Sequence, residues 1–140
     1  MTDSQQVPRG IRNNNPLNIR ISNAQWIGKE KPSRDPDFES FVHIHYGIRA
    51  ALINIRTHVR RAVPDGLTLE QLINIWAPAA DHNNPGNYVR EVCRLANLSP
   101  KWKIDFNDRN RIIAMVWAMA KVECGQALKY QLFEDAYNML

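Results

Sequence analysis

The chain has little cysteine. Two residues, Cys93 and Cys124, occur in 140, with no Cys-x-x-Cys and no Cys/His ligand spacing. A disulfide framework and a zinc module are thereby excluded, and two free thiols buried in helices are expected. His43 and His45 stand two apart without an acidic or thiol cluster beside them, so no metal site and no cofactor is expected. Long apolar runs are also missing. No stretch of about 18 apolar residues exists to span a membrane, so membrane insertion is not expected. The opening MTDSQQVPRG is polar and has no apolar signal-peptide core. Internal repeats and a domain linker are absent too. What remains is 44% hydrophobic and 23% charged, the composition of one globular domain rather than of a disordered chain. The formal net charge of +4 and pI near 9.3 suit a polyanionic partner, either nucleic acid or a bacterial envelope.

Residues 1–8 read as a loose tail and 9–140 as a single domain. Residues 9–45 lack helical periodicity and are rich in Asn, Pro, Gly and Ser. Short extended pieces fit at Leu17–Ser22 and Phe38–His45, and Pro32 and Pro36 mark an exposed loop. From Tyr46 the pattern turns helical, with Ile48, Leu52, Ile55 and Val59 at helical spacing and Arg49, Arg56, Arg60 and Arg61 around them. Val63-Pro64-Asp65-Gly66 is a break. Thr68 is the expected N-cap of the next helix, which Pro78 stops. Asn84 and Pro85 open another helix as cap and first residue. Asn107 or Asp108 caps the longest, from Arg109 to Cys124, with Gly125 as its stop. A last helix is expected from about Ala127 to Asn138. The fold class is α+β, mainly α, with helices packed orthogonally and an irregular or β-containing N-terminal part.

The carboxylates carry the chemistry worth weighing. Glu123 falls on the apolar stripe of Ile112, Val116, Met119 and Ala120, near a helix C-terminus. Desolvation and the helix dipole both favour its neutral form, as a proton donor requires. The plain alternative is a solvated Glu paired with Lys121 or Lys129. Glu39, in Glu39-Ser40, is the rival acid, and Asp81 is either a second carboxylate or a turn former. Asn13, Asn14 and Asn15 can bond sugar hydroxyl and acetamido groups or build turns. Asn18 and Arg20 suit a cleft wall. Arg49 can pair with a buried acid or with a substrate carboxylate. Of the four tryptophans, Trp76, Trp102 and Trp117 read as core, Trp117 as buried, and Trp26 beside Gly28 as a surface for stacking on a sugar. Tyr88 follows the Asn-rich loop, where packing is one reading of it.

The segment Arg9-Gly-Ile-Arg-Asn-Asn-Asn-Pro-Leu-Asn-Ile-Arg20 resembles the opening of a family of phage virion-associated and prophage lysozyme-like proteins. Trp26-Ile-Gly28, Phe38 and Phe41, Gly47-Ile-Arg-Ala50, Ile73-Asn-Ile-Trp-Ala-Pro78, Asn83-Asn84, Tyr88-Val89 and Ala120-Lys-Val-Glu-Cys-Gly-Gln126 follow in the family's order, to about Tyr130. The resemblance implies a lysozyme-like fold and cleavage of peptidoglycan glycan strands, by hydrolysis or transglycosylation, with Glu123 as the acid. It implies Asn14, Asn15, Asn18, Trp26, Asn83 and Tyr88 as substrate contacts. A virion, or synthesis in the bacterial cytoplasm followed by delivery to the cell wall, would bring the protein to its substrate. Leu17, Val122 and Cys124 depart from the family's Gly, His and Asn. Two other classes compete: an inactive glycan-binding or virion structural protein, and a nucleic-acid binder using the arginines after Tyr46.

Overall fold

The computed structural model describes residues 7–78 and 83–140. Its helices, in chain order, are α1 (Arg9–Arg12), α2 (Ile44–Arg61), α3 (Leu69–Trp76), α4 (Pro85–Ala96), α5 (Arg109–Cys124) and α6 (Tyr130–Asn138). None is long and apolar enough to cross a membrane. The caps fall where local chemistry puts them. Thr68 and Gln71 form a reciprocal capping box on α3. Asn84 accepts from the Asn87 amide with Pro85 at the first turn of α4, and Asp108 accepts from the Arg111 amide of α5. Gly125 closes α5 at φ 74°, a left-handed conformation that glycine adopts without cost.

Helix α5 is the axis of the molecule. Ile112, Ile113, Met115, Val116, Ala118, Met119 and Ala120 are all buried, so apolar side chains surround most of its circumference. It packs against α1, α4 and α6, while α2 lies on α6 and α3 on α4. Cys124 is buried and its thiol donates to the Pro16 carbonyl, which ties the end of α5 to the N-terminal segment. Cys93 is half-buried rather than buried, and both thiols are free.

The N-terminal part differs most from expectation. The extended pieces at 17–22 and 38–45 form no strands among the described residues; isolated antiparallel bridges join Arg20 to Phe38 and Lys29 to Phe41. Asparagine side chains do the work of a sheet ladder there. Asn15 is fully buried; its amide donates to the Ile19 and Glu39 carbonyls, and its oxygen accepts from the Ile19 N–H, each at 2.9 Å. Asn14 and Asn18 take left-handed backbones at φ 53° and 54°, turns that asparagine tolerates. The single helical turn α1 was not legible as a helix, since it is closed from outside its own span by the Pro8 carbonyl, which accepts from Ile11 and Arg12. Asp35 then clamps this turn. It accepts both guanidinium contacts of Arg9 at 2.6 Å, the Asn13 amide and two backbone N–H groups. Those donors, Arg9 foremost, hold its carboxyl well below the usual carboxylate range.

Two helical boundaries and two burials are corrected. α2 begins at Ile44, two residues before Tyr46. α6 begins at Tyr130 rather than near Ala127, because Lys129 is extended and the Leu128 carbonyl is taken by the Trp117 indole N–H at 2.9 Å. That bond sits at the edge of the core, so Trp117 is half-buried. Trp76 is half-buried as well. Most of the tail 1–8, and the loop residue Asp81, lie outside the described residues.

Gly47 explains why an early turn of α2 carries no side chain. A Cβ there would stand 2.0 Å from the backbone oxygen of Asn14. The N-terminal segment is pressed directly on the helix. Gly47→Ala is therefore expected to lower unfolding stability by about 3 kcal/mol, the upper end of ordinary overpacking, read as a lower urea midpoint at unchanged slope.

Candidate functional site

Glu123 sits in the last turn of α5, with Asn18 from the N-terminal segment and Tyr88 from α4 closing on it. The Asn18 amide donates to Oε1 and the Tyr88 hydroxyl to Oε2, each at 2.9 Å. These partners stand where the plain alternative had Lys121 or Lys129. Burial pushes the Glu123 carboxyl above its usual value, and the two donated hydrogen bonds oppose that without cancelling it. Burial likewise raises the Tyr88 hydroxyl, with the neighbouring carboxylate adding to the effect, so Tyr88 stays a neutral donor.

Two depressions meet at this carboxylate. A cleft of about 550 Å³ is lined by Asn18, Arg20, Trp26, Phe38, Trp76, the α2 pair Asn54 and His58, and Glu123. A second depression of about 360 Å³ lies between Asn83, Asn87, Tyr88, Glu91 and Val122, and Glu123 and Asn83 line both. The two depressions adjoin at these shared residues as one groove.

The expected site residues separate into three groups. Asn18, Trp26, Asn83 and Tyr88 come together with Glu123. Asn18 and Tyr88, expected to touch substrate, spend their donors on the acid itself. Asn14 and Asn15 are structural: Asn14 donates to the Phe41 carbonyl, and Asn15 is wholly enclosed by backbone partners. Glu39 belongs to neither side of the groove. It is fully buried and paired with Lys29 at 3.0 Å, and it also accepts the Ser22 N–H. Lys29 donates in addition to the Ser22 and Ala24 carbonyls, so this pair pins the 22–29 loop to the 38–41 segment. A carboxylate locked to an ammonium and away from Glu123 is poorly suited to hand a proton to a ligand in the groove. Arg49 reaches toward the Met139 carbonyl rather than a buried acid.

Asn54, His58 and Ile75 line the cleft and were not singled out in the sequence. Asn54 and His58, four apart on α2, are polar positions facing inward on a helix whose other polar residues are mostly arginine; that spacing was the available signal. Among the described residues no group of three metal-ligating side chains converges.

No protein-family model matches the chain. It is 37% identical over 128 residues to Protein P5 of Pseudoalteromonas phage PM2, covering 89% of this chain and 76% of that protein. The chain belongs to the family of that phage protein. The alignment takes in most of the domain, so the groove falls within a unit shared with a phage relative.

The Glu123 environment makes a stability prediction. Its carboxyl is raised in the folded state, so between its unfolded and folded pKa values the native protein binds more protons, and stability falls as pH rises through that window. Glu123→Gln retains an acceptor for Asn18 and removes the charge. The variant is expected to match the parent in thermal unfolding at pH 4 and to exceed it at pH 8.

Proposed function

We propose that the protein cleaves the glycan strands of bacterial peptidoglycan, with a lysozyme-like fold and Glu123 as the general acid, and that it is the product of a phage or prophage. The observation that carries this reading is the position of a desolvated carboxyl at the junction of two grooves. A polymer lying along them would present an internal glycosidic oxygen to the acid, with sugar rings on both sides. Trp26 and Trp76 offer apolar faces of the kind sugars stack on, and Asn83 offers an exposed amide. The phage relative adds support, because a phage must breach the wall of its host on entry or exit.

The proton economy of Glu123 fits the task. Burial keeps the proton on the acid before transfer. Once the proton has passed to the leaving oxygen, the new carboxylate finds Asn18 and Tyr88 already aimed at its two oxygens. The acid is thus held neutral by desolvation, and its conjugate base is received by fixed donors. The departures from the family pattern leave this arrangement intact. Cys124 turns away into its bond with Pro16, and Val122 contributes an apolar wall to the smaller depression.

The test is digestion of purified sacculi, with products identified by mass spectrometry. Wild type is expected to release disaccharide muropeptides, and Glu123→Gln to be slower by about a thousandfold, the order a positioned general acid contributes. Reducing ends would identify a hydrolase and anhydro ends a transglycosylase. Tyr88→Phe removes a donor that favours the charged carboxylate, so it is expected to move the alkaline limb of the pH–rate profile upward. Intact sacculi after incubation with wild type would overturn the proposal in favour of a glycan-binding or virion structural role.

A further inference from the structure

The two depressions differ in the charges they offer. The smaller is lined by Glu91, paired with Arg94 at 2.8 Å, and by Glu123, whose neutral form burial favours. The larger is lined by Arg20 and His58 as well as Glu123. At 100° per residue, Arg61 lies within about 20° of Asn54 around α2 and so continues the face that Asn54 and His58 present to the cleft. Arg20 and Arg61 are both exposed. Among the described residues, no carboxylate lies within ion-pair distance of Arg20, His58 or Arg61, although most of the chain's acids are paired. Arg20 is instead held over the Phe38 ring, 5.1 Å from its centroid, which orients the guanidinium and leaves its N–H groups without a carboxylate partner. The segment 42–64 has four arginines and no acidic residue, a net +4 that equals the net charge of the whole chain. The protein's excess positive charge therefore lies in the segment that forms this wall of the cleft.

We propose that the α2 end of the cleft is a subsite for a carboxylate carried on the glycan, with Arg20 as its main ligand and His58 and Arg61 as supporting donors. Such a subsite deepens the function proposed above and rests on it. It fixes the direction in which a strand lies across Glu123, and it selects acid-bearing glycans over neutral ones. In peptidoglycan a carboxylate has two sources, the stem peptide and the lactyl group left when that peptide is removed.

The test measures binding to the Glu123→Gln variant, which leaves strands uncut, and cleavage by the Glu123-containing protein. The strands are of four kinds: peptidoglycan strands with stem peptides, amidase-stripped strands, stripped strands whose carboxyls have been converted to amides, and neutral chitin oligosaccharides. Adding Arg20→Gln, or His58→Gln with Arg61→Gln, is expected to weaken binding of the carboxylate-bearing strands by about tenfold or more, as the loss of a charge-assisted pair does. Binding of the amidated strands should stay unchanged, and Arg20→Lys should restore part of the loss. The His58/Arg61 pair is remote from Phe38, so its result does not depend on the packing that Arg20 contributes. A loss confined to strands with peptides assigns the stem carboxylate, a loss confined to stripped strands assigns the lactyl group, and a loss on both shows that either carboxylate occupies the subsite. Equal loss on charged and amidated strands, or none on either, overturns the subsite while wild-type cleavage upholds the glycan reading. Absence of both binding and cleavage for every strand overturns the two together.

Discussion

The side chain of Asn15 is the joint on which the cleft hangs. It is fully buried and bonded to three backbone groups drawn from two separate segments. A buried amide left unpaired costs about 1–3 kcal/mol, and Asn15 also satisfies the backbone groups it meets. Its position decides where the 17–22 stretch runs, hence where Asn18 stands. Gly47 of α2, pressed against the backbone of Asn14 and Asn15, has no room for a side chain, and Cys124 grips the Pro16 carbonyl from the far end of α5. Asn18 arrives at Glu123 because these contacts over-determine the loop that carries it. In a region with no regular strand, side-chain amides take the place of the hydrogen bonds a sheet would have supplied.

Glu123 shows the cost of such a site. Two opposed effects act on one carboxyl, and burial outweighs donation. Were the donors stronger, the carboxylate would ionise at low pH and lose its value as an acid. Were they absent, the conjugate base would be stranded without partners when the proton left. The same chain stabilises its other buried carboxylates differently. Glu39 has an ammonium and Asp35 a guanidinium, partners that hold a charge in place. Glu123 alone among these three has only neutral donors, whereas Asp35 and Glu39 line a separate depression of about 440 Å³ with their charges already paired. That contrast sets Glu123 apart from the two ion-paired carboxylates more firmly than burial could, since Glu39 is the more buried residue.

The helical half of the fold was legible because its signals are local. Thr68, Asn84, Asp108 and Gly125 each cap the helix end that their own chemistry favours, within a few residues of chain. The placement of Glu123 at the end of an apolar stripe was legible for the same reason. The N-terminal half was not, because its order is imposed over distances of 22 to 108 residues, by Asp35 on Arg9 and Asn13 and by Cys124 on Pro16. The hydrogen bonds of Asn18 and Tyr88 to Glu123 were hidden on that account. Each was recognisable as a groove residue. That both point at the same carboxyl is a fact about residues 35 and 105 positions away from it, which no spacing records. His58 was hidden by its neighbours: within a run of arginines, a histidine reads as one more solvated residue until the helix is set against the N-terminal lobe.

Charge distribution bears on which polyanion the protein meets. A surface that follows a nucleic-acid backbone needs cations repeated along a continuous track, because each phosphate contributes separately to binding. The arginines of α2 do not form one. Arg49 is turned toward the Met139 carbonyl, and Arg61 lies on the face that walls the cleft. In the groove itself the lining offers Arg20 and His58, while its smaller depression offers a Glu91 already paired with Arg94 and a Glu123 whose neutral form burial favours. A uniformly charged strand laid along that groove would find a cation for few of its phosphates. A polymer of neutral rings with acids hung at intervals suits it better, because its carboxylates can reach Arg20 while its rings pass Trp26 and Trp76 and its uncharged linkage meets Glu123.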